Sequence, residues 1–225
     1  MTWVKICGTT NLRDALLSVA AGADALGFIF APSPRHIEIG TAAEINARLD
    51  GKAEAIGVFV NEAPDRVAQV AKQAGLTGVQ LHGEEPVESW PEYRRVLGDR
   101  KIIKALHACR LLNTGEKMAA CVSARDSIDA ILLDSGSAQQ RGGTGATFDW
   151  SAVLPWAAAI RRAMPLIIAG GLNAENVARA IDLFDPWGVD VVSGVEEQPG
   201  KKDERKLREF VAAVRQTQAS ARQRE

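Results

Sequence analysis

At 225 residues, with 46% hydrophobic and 24% charged side chains, the chain is long enough for one barrel or two smaller domains and apolar enough for a full core. A formal net charge of −1 excludes a broad electrostatic drive toward nucleic acid or an anionic membrane surface, and no apolar run approaches bilayer-spanning length. Cys7, Cys109 and Cys121 form no CxxC pair and leave one odd, and Met1–Lys5 lacks a signal-peptide layout, so free thiols in a cytoplasmic protein are expected.

Short apolar runs alternate with longer amphipathic stretches along the whole chain. The strand Trp3–Gly8 precedes a helix over Asn11–Ala23, the strand Ala25–Phe30 one over Thr41–Leu49, and the strand Ala55–Val60 one over Pro64–Ala74. Strands follow at Gly78–His82, Lys101–Leu106 and Asp129–Asp134, the last leading to a helix over Ser151–Ala163. Pro165–Gly170 precedes a helix over Glu175–Leu183, and Val189–Ser193 one over Asp203–Arg215. Gly22 and Gly75 stand where helices should stop, and Asn11, Asn61 and Asp149 where they should be capped. Eight strand–helix units without a composition break predict an α/β fold, a single (β/α)8 barrel over residues 1–216 with a frayed tail over 217–225. The Gly-x-Gly-x-x-Gly turn of a dinucleotide-binding open sheet is absent after the first strand.

In such a barrel the carboxyl ends of the strands converge on one face. Cys7 ends the first strand two residues after Lys5, so both project inward while Val4 and Ile6 face the helices. A buried Lys5 beside Cys7 is expected to favour the thiolate; the alternative is that Cys7 is one more small buried apolar residue. Asp134 ends strand six after Ala130–Leu133, an apolar approach expected to raise its pKa and suit a general acid, whereas a turn-capping role is the plain reading. Gly142, Gly143, Thr144 and Gly145, then Gly170 and Gly171, then Ser193 and Gly194 place small residues on three consecutive loops, where backbone amides can approach an anion. A small phosphorylated substrate follows. Arg35, on a loop stiffened by Pro32 and Pro34, is a candidate fork for a carboxylate, and His82 at the mouth is either a substrate ligand or a structural histidine. His36, His82 and His107 show no paired ligand spacing, so no metal site is expected.

Lys5-Ile6-Cys7-Gly8, Gly27–Phe30, Ser33-Pro34-Arg35, Gly57–Asn61, Gln80–Gly83, Gly142–Gly145 with Phe148-Asp149-Trp150, Ser193–Glu196 and Pro199–Asp203, in this order, resemble the phosphoribosylanthranilate isomerase family of the tryptophan pathway. The resemblance implies an Amadori rearrangement of N-(5-phosphoribosyl)anthranilate without a cofactor. It assigns Asp134 as general acid at the furanose oxygen, Cys7 as general base at C2′, and Arg35 to orienting the anthranilate moiety. The phosphate would rest on Gly142–Gly145, Gly170–Gly171 and Ser193–Gly194. No nucleic-acid or membrane partner is implied, and the molecule is a monomer or a homodimer.

Val192 and Glu197 depart from the family pattern. Glu197 is expected to point outward, and the Gly136–Arg141 insert is a candidate lid. The rivals are another sugar-phosphate isomerase or epimerase, the related histidine-pathway isomerase (which carries aspartate where this chain has Cys7), and a catalytically silent phosphate-binding barrel.

Overall fold

The structure is a computed structural model and describes residues 1–107, 123–134 and 150–222. Eight parallel strands close into a barrel in chain order: β1 (Trp3–Cys7), β2 (Ala25–Ile29), β3 (Glu54–Phe59), β4 (Gly78–Leu81), β5 (Lys101–His107), β6 (Ala130–Asp134), β7 (Leu166–Ala169) and β8 (Gly188–Val191). Each lies within two residues of its expected bounds. Around them stand α1 (Leu12–Ala21), α2 (Ile39–Leu49), α3 (Pro64–Gln73), α4 (Trp90–Leu97), α5 (Leu154–Ala163), α6 (Val177–Phe184) and α7 (Glu204–Arg222). A short antiparallel hairpin, β9 (Glu196–Gln198) and β10 (Lys201–Lys202), follows β8.

The two-residue alternation of the strands divides the core into two layers. Val4, Ile6, Leu26, Phe28, Ile131 and Leu133 pack outward against the helices. Trp3, Ala25, Ile56, Ile103, Ala130, Leu132 and Ile167 fill the barrel interior. Trp3 stacks on Trp187 with ring centroids 5.0 Å apart, and Lys101 Nζ lies 5.1 Å from the Trp3 ring, so aromatic and cationic groups plug the amino-terminal end. The opposite end is left open to solvent and chemistry.

Local signals explain both ends of α1. The Asn11 side chain accepts the Asp14 N–H at the start of α1, and Gly22 (φ 99°) closes that helix by donating to Ser18 and Val19. Asn61 does not cap α3: it takes φ 52°, and its side chain accepts the Glu84 N–H at 2.6 Å, tying the loop after β3 to the loop after β4. Glu85 reinforces that tie by accepting N–H bonds from Asn61 and Gly83 while pairing with buried Lys104. Two helix boundaries differ from expectation by more than two residues. A 3-10 turn, Trp150–Val153, precedes α5, and α7 continues past Gln216 to Arg222, because Gln, Ala and Arg are good helix formers despite their low apolar content. Cys109, Cys121, Asp149, Gly142–Gly145 and the Gly136–Arg141 insert lie outside the described residues.

Candidate active site

The open end of the barrel holds a cavity of about 350 Å³ whose lining includes Cys7, Arg35, Gln80, His82, Asp134, Gly170, Gly171, Asp190 and Ser193. It thus joins every described residue expected in the site except Gly194. A Cβ on Gly194 would come within 1.9 Å of the Leu172 carbonyl oxygen, so only glycine lets the loop after β8 press against the loop after β7. Gly170 (φ 91°) and Gly171 (φ 66°) give that second loop its shape.

Cys7 closes β1 and is only 3% exposed. Its β2 partner is Gly27, where a Cβ would lie 2.5 Å from the Cys7 sulfur, so the glycine creates the space the thiol occupies. Lys5 is fully buried beneath it and donates to Asp190 Oδ1 at 2.9 Å, across the β1–β8 seam where the two residues are register partners. Burial pulls the Lys5 pKa down, but Asp190 and Cys7 outweigh it and hold the ammonium charged. Lys5 favours the Cys7 thiolate, the expected direction, but it does not decide the balance. Burial pushes the Cys7 thiol up; Lys5 opposes this, Asp190 adds to it, and burial prevails.

Arg35 is also more constrained than a presented loop arginine. Its Nε and Nη2 form a two-pronged ion pair with the nearly buried Glu196, at 2.9 and 2.6 Å. Glu196 in turn accepts from Lys202 Nζ at 3.2 Å and from the Gly200 N–H, and Lys202 Nζ also donates to the Cys7 carbonyl. Burial alone would raise the Glu196 pKa; the Arg35 hydrogen bonds, Lys202 and the Gly200 N–H hold it below the ordinary carboxylate range. The β9–β10 hairpin therefore fixes both the arginine and the backbone of the candidate base. Glu197 points outward, as expected, and pairs with Lys201 at 2.7 Å on the surface.

Asp134 and His82 stand on the β4–β6 side of the mouth, with His82 Nε2 3.7 Å from Asp134 Oδ2. The Gln80 amide meets His82 Nδ1 at 2.7 Å, so the ring's other nitrogen faces the carboxylate. Burial lowers the His82 pKa to about 4, Asp134 opposing, so the imidazole is neutral at neutral pH and the contact is polar rather than ionic. His107, at the end of β5, completes a group with these two. Glu196, Lys202, Asp190 and His107 were not singled out from the sequence. The first two lie inside the Ser193–Glu196 and Pro199–Asp203 segments, and that was the signal available.

The family model for N-(5'phosphoribosyl)anthranilate (PRA) isomerase matches residues 4–213. The chain is 44% identical over 212 residues to the N-(5'-phosphoribosyl)anthranilate isomerase of Thermotoga maritima, covering 94% of this chain and 97% of that one. It is 44% identical over 222 residues to the enzyme of the same name from Pelobacter propionicus, with 98% and 99% covered. The crystal structure of the Thermotoga maritima phosphoribosyl anthranilate isomerase superposes with a TM-score of 0.80 at 43% identity, covering 96% of this chain and 100% of that one. Another solved phosphoribosyl anthranilate isomerase, in complex with reduced 1-(o-carboxyphenylamino)-1-deoxyribulose 5-phosphate, superposes with a TM-score of 0.77 at 42% identity over 96% and 100% of the two chains. The barrel, the cavity at its carboxyl end and these matches along nearly the whole length agree: the chain belongs to the N-(5'-phosphoribosyl)anthranilate isomerase family.

Proposed function

We propose that the protein isomerises N-(5-phosphoribosyl)anthranilate to 1-(o-carboxyphenylamino)-1-deoxyribulose 5-phosphate, a step of tryptophan biosynthesis, using Asp134 and Cys7 as acid and base. The observation that carries this reading is the placement of a buried cysteine and a carboxylate in one cavity, from β1 and β6, in a chain of this family.

Protonated Asp134 delivers its proton to the furanose oxygen as the C1′–O bond breaks, while the anthranilate nitrogen lone pair forms the C1′=N bond of a Schiff base. The Cys7 thiolate then takes the proton from C2′, and the electrons of that C–H bond form the enolamine, which tautomerises to the ketone. One proton leaves the acid and one reaches the base, so the isomerisation balances without a redox partner, and the scheme calls for no cofactor. The productive state holds a proton on Asp134 and none on Cys7. With its thiol pKa raised by burial, Cys7 carries the proton at neutral pH and must release it before it can act as the base.

Arg35 is held by Glu196 through Nε and Nη2, which leaves Nη1 to meet the anthranilate carboxylate. His82 offers a neutral ring to the substrate beside the acid. The 5-phosphate is assigned to backbone amides of Gly170, Gly171, Ser193 and Gly194, and the family resemblance adds Gly142, Gly143, Thr144 and Gly145, which lie outside the described residues. Among the described residues no helix is long and apolar enough to cross a membrane, and a cytoplasmic location fits the proposed step. The assembly is a monomer or a homodimer; a solved relative is described as dimeric.

Steady-state assays on freshly generated substrate test the assignment. Asp134→Asn should lose about 10²–10⁴-fold in kcat, the usual contribution of a general acid, while still binding a product analogue. Arg35→Ala should raise KM without unfolding the protein. Turnover unchanged in Asp134→Asn would move the acid elsewhere, and wild-type kinetics in Arg35→Ala would remove that residue from the site.

A further inference from the structure

Three metal-ligating side chains stand together at the ends of adjacent strands: His82 just after β4, His107 on β5 and Asp134 on β6. One ligand atom from each lies within 4.8 Å of the others. His107 and Asp134 are direct register partners across β5 and β6, so the hydrogen-bonded sheet sets their proximity. His82 Nε2 and Asp134 Oδ2 are 3.7 Å apart. Two ligands on a tetrahedral cation, each bonded at about 2.1 Å, stand roughly 3.4 Å apart, so this pair is already near the spacing a first-row ion needs. The two imidazole rings cross at 83° with centroids 5.2 Å apart, an arrangement in which two in-plane lone pairs can meet at one point.

The neighbouring polar group fits the same reading. A ligating histidine ordinarily donates its second ring N–H to an oxygen that fixes its orientation. Gln80 supplies one: its amide lies 2.7 Å from His82 Nδ1, and its Oε1 is buried with no hydrogen-bond partner. Turning that amide by half a revolution sets Oε1 against Nδ1–H and leaves the Nε2 lone pair toward Asp134. Both His82 and Asp134 line the cavity, so an ion held between them would face the substrate space.

We propose that His82, His107 and Asp134 supply three ligands, among the described residues, to one first-row divalent cation such as Zn²⁺ or Co²⁺, and that the ion inhibits the isomerase by occupying the Asp134 carboxylate. The two-nitrogen, one-oxygen set suits ions of borderline softness rather than Mg²⁺ or Ca²⁺. Linear histidine spacing pointed away from a metal, whereas barrel register supplies the set. Binding rests on this geometry alone; inhibition rests also on Asp134 being the acid.

Co²⁺ titration of the chelator-treated full chain, read by visible absorption, tests the site. The expected result is the intense d–d bands of a four-coordinate ion saturating at one equivalent. In His107→Ala, affinity should fall at least about tenfold, the lower end of what loss of even an outer-sphere partner costs. Metal-free turnover should persist in that variant, and inhibition by Zn²⁺ should weaken by the same factor. His107→Gln serves if the alanine variant does not fold. Absence of the four-coordinate spectrum, or an undiminished one in both variants, would overturn the site. Binding without inhibition would overturn the inhibitory role, whereas a metal-free wild type that binds Co²⁺ but turns nothing over would overturn the isomerase reading instead.

Discussion

Cys7 and His82 occupy opposite sides of the mouth, and burial pushes each away from its charged form. For Cys7 this means a thiol at neutral pH, with Lys5 restraining the shift and Asp190 enlarging it. A base with a raised pKa gains its working form as pH rises. The dependence of kcat/KM on pH should therefore climb through and beyond the ordinary thiol range of about 8.5. A profile flat from about pH 6 upward would show that Cys7 is not the titrating base. For His82 the consequence lies in stability. Its folded pKa is about 4 against an ordinary value of 6.5, so as pH falls below the latter the unfolded chain takes up a proton that the folded one refuses. Stability from this group is thus complete above the ordinary value and drains away as pH falls toward about 4, by up to about 3 kcal/mol. Thermal unfolding of wild type and His82→Asn across that window should show a steeper acid decline in the wild type. Parallel declines would mean that the ring is not held neutral by the fold.

The hairpin β9–β10 is the element whose role is least obvious from its size. Through Glu196 and Lys202 it holds Arg35 by its guanidinium and Cys7 by its backbone carbonyl. Glu196→Gln would leave two buried or half-buried cations facing a neutral amide, at a cost of about 3 kcal/mol or more in stability, the scale for breaking a buried pair. Its kinetic signature should be a raised KM. In the Arg35→Ala background the same change should add little, because the two residues act on substrate as one unit. Additive effects on KM would mean that Glu196 does not work through Arg35.

The eight barrel strands were legible because each is an apolar run bounded by a turn, and the inward placement of Lys5 and Cys7 followed from a period of two. The hairpin was not legible: its strands are short and charged, and what buries Glu196 and Lys202 is pairing with Arg35 and with each other. Asn61 misled for a related reason. An asparagine before a helical stretch reads as a cap, but here its side chain serves a neighbouring loop.

At the scale of the whole molecule, closure of the barrel does what no local pattern could announce. It brings β8 beside β1, so that Asp190 meets Lys5 beneath the candidate base, and it sets His107 opposite Asp134. Ligand spacing read along the chain could not find that second pair, because adjacency in a barrel is set by strand order and register. The amino-terminal end is sealed by Trp3, Trp187 and Lys101, and the site occupies the other end, so stability and chemistry are assigned to opposite faces of one sheet. The site is built from the ends of distant strands, which is why Cys7 and Asp134, far apart in sequence, share one cavity.

The most direct test of the account is the consumption of freshly generated N-(5-phosphoribosyl)anthranilate by the purified protein in chelator-treated buffer, beside Cys7→Ala. The expected result is rapid turnover by the wild type and a loss of about 10²-fold or more in a folded Cys7→Ala variant. No turnover by a well-folded wild type, or turnover retained in Cys7→Ala, would contradict it.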